Sequence, residues 1–144
     1  MSLLRRPLRA LSLSLLLAAS ACATRSTDSL YVALGEMDGI QRLVQALIVE
    51  YRADARINGL FQQTEFGYFA ERLVEDICVK AGGPCEYTGL SMPEAHSGMD
   101  IKEAEFNWFV EDSRRAMEKI GLPVSTQNRL LDLLARERAD VIHQ

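Results

Sequence analysis

The stretch that decides the fold is GGPCEYTGLSMPEAHSGMDIKEAEF, residues 82–106. It opens on Gly82-Gly83-Pro84, a helix stop: glycine takes the left-handed conformation that closes a last turn, and proline cannot continue the ladder. It closes on Asp100 and Glu103, which read as the start of a helix carrying Phe106 and Phe109. Between them lies a loop of about seventeen residues, and loops that long in a compact domain usually carry function. His96 stands near its end, and one helical turn ahead of it fits the sequence.

The flanking segments are helical by their spacing. Phe66, Phe69, Ala70, Leu73, Val74 and Ile77 recur every three or four residues, which predicts a helix over 66–80 with Thr64 as N-cap. Ile40, Leu43, Val44, Leu47, Ile48 and Tyr51 repeat the pattern, a helix over 37–53 begun by the capping-box-like pair Asp38 and Gln41. Downstream, a helix over 102–120 turns Phe106, Phe109, Val110, Met117 and Ile120 inward and stops at Gly121 and Pro123. A fourth is expected over 126–142, capped by Ser125, with Leu130, Leu131, Leu134 and Val141 inward. No segment alternates with period two and no internal repeat is found, so the fold class is all-α.

A chain of 144 residues, 48% hydrophobic and 25% charged, is one globular domain able to bury a core. Its first residues read differently. Arg5, Arg6 and Arg9 precede an uncharged run of Leu, Ser and Ala from Leu11 to Ala19, too short to span a membrane but suited to a signal segment over 1–21. Ala19-Ser20-Ala21-Cys22 resembles a bacterial lipobox, with Ala19 where leucine is usual, so Cys22 is the expected lipidation site. Cleavage near Ala21, releasing an unanchored periplasmic protein, is the other outcome. Either way the product is exported: to the periplasm, or to the outer membrane as a lipoprotein, where Ala23 after the cysteine points. Residues 22–29 read as a polar tether and 30–144 as the folded domain. Losing those three arginines from 16 basic residues leaves 13 against 20 acidic ones, a net charge of −7. Nucleic acid, which needs the opposite sign, is an unlikely partner, and any membrane link would be covalent lipid. Cys78 and Cys85 remain; an exported chain permits a disulfide between them, while a small core residue and a free loop thiol is the alternative.

The chemistry concentrates on His96. The other histidine, His143, is the penultimate residue of the sequence. A structural zinc site wants four ligands, and only His96, Cys78 and Cys85 are available, without a closely spaced pair. There is no glycine-rich phosphate loop, nucleophile–histidine pairing or paired-carboxylate signature. A lone histidine is more often structural than a ligand, but one neutral imidazole at the edge of an apolar pocket suits haem, whose iron needs a single protein ligand.

On these residues the chain resembles the truncated haemoglobins, group I in particular, from about Leu30 to Ile142. Leu34-Gly35 lies where the family's entry segment does, and Ala53-Asp54 to Leu60-Phe61 resembles the turn bearing its haem-stacking phenylalanine. Gly82-Gly83-Pro84, Tyr87-Thr88-Gly89, then Met92 and His96 match its most specific stretch in order and spacing, followed by Ile101 and Phe106. The resemblance implies a two-over-two helical sandwich, 37–53 and 66–80 on 102–120 and 126–142, holding one haem b. It implies His96 as the proximal iron ligand and Phe61, Phe69, Leu73, Tyr87, Met92 and Phe106 around the porphyrin.

The chain departs from its family on the distal side. The position where a tyrosine usually donates to bound dioxygen is Ile48, and the two usually polar positions of the next helix are Phe69 and Leu73. Tyr51, three residues beyond Ile48, should not point the same way. A donor to a charged acceptor is worth about 1.5–3 kcal/mol, so dioxygen binding is expected to be weak or readily autoxidised, with poor discrimination against carbon monoxide. The leading expectation is an envelope haem protein that binds, senses or detoxifies a diatomic gas, with an electron donor left unspecified. The alternative is a haem carrier or a non-enzymatic helical interaction module. A peroxidase-like enzyme would lack a distal acid–base group.

Overall fold

In a computed structural model, residues 29–144 are described; the expected signal segment, Cys22 and all of the tether but Ser29 lie outside that range. A short helix α1, Leu30–Ala33, leads into α2, Glu36–Ala53. The turn between them is made by Gly35, at φ +90°, and by Gly39, where a Cβ would lie 1.9 Å from the Leu34 carbonyl oxygen. Only glycine allows that approach. Asp38 therefore does not begin the helix; it sits in the first turn, its charge toward the positive end of the dipole.

A 3-10 turn, Asn58–Phe61, follows, and then α3, Phe66–Lys80. Its cap is Glu65 rather than Thr64, because the longer side chain reaches two free amides, accepting from Gly67 N at 3.0 Å and Tyr68 N at 2.6 Å. Those bonds hold the Glu65 carboxyl below its usual range. At the other end Gly82, at φ +80°, donates to Val79 O at 3.0 Å and Gly83 to Cys78 O at 2.8 Å, a Schellman closure. A Cβ on Gly83 would meet Cys78 Sγ at 2.5 Å. Cys78 and Cys85 are bridged, their Cα atoms 6.0 Å apart.

The long loop does contain a helical turn, α4, Met92–Ala95, begun by Ser91, whose N–H donates to Glu94 at 3.1 Å. In α5, Glu103–Lys119, the cap is Lys102, with Glu105 accepting from Lys102 N at 2.8 Å, instead of the pair Asp100 and Glu103. The expected last helix is two: α6, Val124–Ala135, capped at Pro123 rather than Ser125, and α7, Arg138–Val141. The break falls at Arg136 and Glu137, where Glu137 is drawn into an ion pair with Lys80 of α3 at 2.9 Å.

Helices α2 and α3 form one layer over α5 and α6, and the α2–α5 crossing is the most extensive contact. The core there is Ile40, Leu43, Val44, Leu47 and Tyr51 with Ile77, Met117 and Leu130, all essentially inaccessible. Each such aliphatic side chain contributes about 1.5–3 kcal/mol on burial. Among the described residues none lies in a strand, and no helix is long and apolar enough to cross a membrane.

Candidate functional site

Between α3 and the segment from Tyr87 to Phe109 the helices leave a slot of about 390 Å³, mostly apolar in its lining. That volume falls in the usual range for small-molecule sites, about 300–1,000 Å³. A larger hollow of about 590 Å³ opens between α2 and α3, but Asp38, Gln41, Arg42, Gln45 and Glu71 line it and it is a wide surface groove.

His96 stands at the slot's edge, half-buried, as the cap of α4. Its Nδ1 lies 2.8 Å from the Met92 carbonyl oxygen. A carbonyl only accepts, so Nδ1 carries a proton; in the neutral imidazole this leaves the lone pair on Nε2, the tautomer that a metal-ligating histidine needs. The following loop is fixed from the far end of the chain: Gly98 N and Asp100 N both donate to Gln144 O at 3.2 Å, and His143 N donates to Ile101 O at 3.1 Å. The α4–α7 contact completes this clasp. Upstream, Tyr87 is held by its hydroxyl, which donates to Leu90 O at 2.7 Å, and burial pushes its phenol pKa up.

The structure gathers His96, Phe61, Phe69, Leu73, Tyr87, Met92 and Phe106 around this one slot. It does not bring Ile48 there. Ile48 is buried in the core cluster against which Phe61, Phe69 and Leu73 pack, because the apolar face of α2 is consumed by helix packing. Tyr51 is also absent from the lining. Its ring stacks between Phe61, 5.6 Å away, and Phe109, 4.5 Å away, and its hydroxyl is 2.7 Å from Ser113 Oγ. Ser113 donates to Phe109 O at 2.8 Å, so Tyr51 is the donor to Ser113. Burial raises the Tyr51 pKa far above the ordinary phenol value.

Residues not singled out from the sequence include Leu60, Tyr68, Arg72, Asp76 and Met99. The helical signal for three of them existed in another phase. Along α3 the slot is lined by Glu65, Tyr68, Phe69, Arg72, Leu73 and Asp76, a stripe one residue out of step with the apolar stripe and sharing only Phe69 and Leu73 with it. Arg72 is the informative one. Its guanidinium pairs with Glu75 at 3.0 Å and lies over the Tyr68 ring at 5.2 Å, yet its Nε is buried with no partner among the described residues. An unpaired cationic N–H in the wall of a mostly apolar slot fits a mostly apolar ligand bearing a carboxylate.

A model of the bacterial-like globin family matches residues 29–143. A group 1 truncated hemoglobin of Tetrahymena pyriformis is 23% identical over 115 residues, spanning 80% of this chain and 95% of that protein. Another, from Mycolicibacterium paratuberculosis, is 27% identical over 107 residues, 74% of this chain and 79% of its own length. The solved Fe(III) form of the Tetrahymena pyriformis protein superposes with a TM-score of 0.77, covering 80% of this chain and 98% of that one at 23% identity. A 2/2 hemoglobin from a Synechococcus species, in the cyanomet state with covalently attached heme, gives 0.74 at 20% identity, covering 79% and 98%.

Proposed function

Since the chain belongs to the bacterial-like globin family, we propose that it is a haem b protein of the cell envelope that binds a diatomic gas on an apolar distal side. The observation that carries the reading is the fixed tautomer of His96: with Nδ1–H donated to Met92 O, Nε2 faces the task of ligating iron. Phe61, Phe69, Leu73, Tyr87, Met92 and Phe106 would hold the porphyrin faces, and the unpartnered Nε of Arg72 would meet a porphyrin carboxylate. Bound there, ferrous haem supplies one open coordination position for the gas. Phe69 and Leu73 of α3 offer that ligand no hydrogen-bond donor, and the Tyr51 hydroxyl is committed to Ser113. A gas that gains negative charge on binding is therefore poorly held, and carbon monoxide is less affected.

The envelope location rests on the arginine-led segment before Cys22 and is supported by the Cys78–Cys85 bridge, a bond that persists in oxidising compartments. Hemin titration tests the core of the reading. The wild-type chain should develop a Soret band saturating at one hemin per chain, and His96→Ala should lose it or shift it strongly. Identical spectra for the two would remove His96 from the iron and the reading with it.

A further inference from the structure

Where α2 crosses α5, charged side chains converge around two covered carboxylates. Asp112 of α5 is fully buried, and the Asp54 side chain at the end of α2 is only 9% exposed. Both carboxylates close on the same two guanidinium nitrogens. Arg56 Nη2 lies 2.6 Å from Asp54 Oδ2 and 3.7 Å from Asp112 Oδ1. Arg115 Nη2 lies 3.5 Å from Asp54 Oδ2 and pairs with Asp112 Oδ1. From α2, Glu50 joins through Arg115 at 3.5 Å and Lys119 at 2.5 Å. From α5, Glu111 joins through Arg56 at 2.9 Å and Arg115 at 3.7 Å. These pairs set four carboxylates against three cations, and Arg115 divides its charge over all four. Asp112 Oδ2 is left buried with no donor among the described residues. An ionised oxygen in that position keeps the full cost of leaving water, whereas a proton there removes the excess charge and supplies the missing donor.

We infer that under mildly acidic conditions Asp112 carries a proton on its unpartnered carboxylate oxygen and, beside Asp54 with which it shares Arg56 and Arg115, acts as a pH-dependent positioning residue for the slot wall. The route is short: Asp54 accepts from Arg56 N at 2.8 Å and fixes the turn that leads into Leu60 and Phe61, both of which line the slot. The inference goes beyond the haem reading and does not depend on what fills the slot. Burial pushes the Asp112 carboxyl up to about 6 against the pull of Arg115, and the hydrogen bonds from Arg56 hold Asp54 well below the usual range. The signs follow. Asp112 binds its proton more tightly folded than unfolded, so its contribution is complete near pH 4 and is lost as pH rises through about 6. Asp54 contributes above its unfolded pKa and is already saturated across that window.

The test compares thermal unfolding of wild type and Asp112→Asn from pH 4.5 to 7.5, because asparagine keeps the shape and a permanent N–H donor. The folding constant of wild type should fall relative to the variant by up to about tenfold per pH unit, levelling off above roughly pH 6.5. Parallel profiles would mean that Asp112 gains no proton affinity on folding and would overturn the inference. Should the variant not fold, the Asp112 carboxyl carbon in wild type is read by NMR: a midpoint near 6 supports the inference, and ionisation complete by pH 4.5 ends it.

Discussion

Two side chains one turn apart, Phe69 and Leu73, carry the chemical character proposed for the gas-binding side. Both lie on the slot and neither can donate a hydrogen bond. Their identity was readable directly from sequence, as was the isolation of His96. The tautomer of His96 was not, because it depends on where the Met92 carbonyl stands once α4 has formed. Nor was the removal of Ile48 from the slot, which results from packing α2 against its neighbours. The proposal makes a direct expectation for Leu73→Gln. A donor placed beside the ligand should stabilise bound dioxygen by about 1.5–3 kcal/mol, slowing its release ten- to a hundredfold in flash photolysis while carbon monoxide rates change far less. Unchanged dioxygen release would show that residue 73 does not face the ligand.

At the scale of elements, hydrophobic spacing located the four long helices, since burying one face of each is what makes it a helix here. The caps were legible only in part. Glu65 outcompetes Thr64, and Glu105 serves Lys102, because the final reach of a side chain to a free amide depends on the angle at which the chain enters. The division of α6 from α7 falls at Arg136 and Glu137, and Glu137 pairs with Lys80 of α3, a contact that spacing along the chain does not show. The segment from Cys78 to Cys85 has a clear energetic role: the bridge closes the turn that delivers Tyr87 to the slot, and Thr88 N then donates to Glu75 at 2.9 Å. Replacing both cysteines by serine should cost about 2–3 kcal/mol for a loop this short, measured by denaturant unfolding, and should speed hemin loss. A stability equal to that of wild type would show that the loop is held by its other contacts alone.

For the molecule as a whole, the two-layer packing, the slot and the proposed address in the cell combine into one expectation. If residues 1–21 are removed and Cys22 is lipidated, wild type should fractionate with membranes and take up labelled fatty acid, while Cys22→Ala should lose the label and leave the membrane fraction. Membrane association retained without the label would assign the anchoring to something other than Cys22. The sequence by itself determined the helical class, the ordered motif from Gly82 to His96 and the apolar choices at Phe69 and Leu73, because these depend on residue type and spacing along one chain. Only the tertiary structure decided which stripe of α3 faces the slot, which cysteine state the loop adopts, where Tyr51 spends its hydroxyl, and that Asp112 and Asp54 meet around the same two arginines. Those outcomes depend on residues separated by tens of positions arriving at one place, and no local periodicity encodes the angle at which two helices cross.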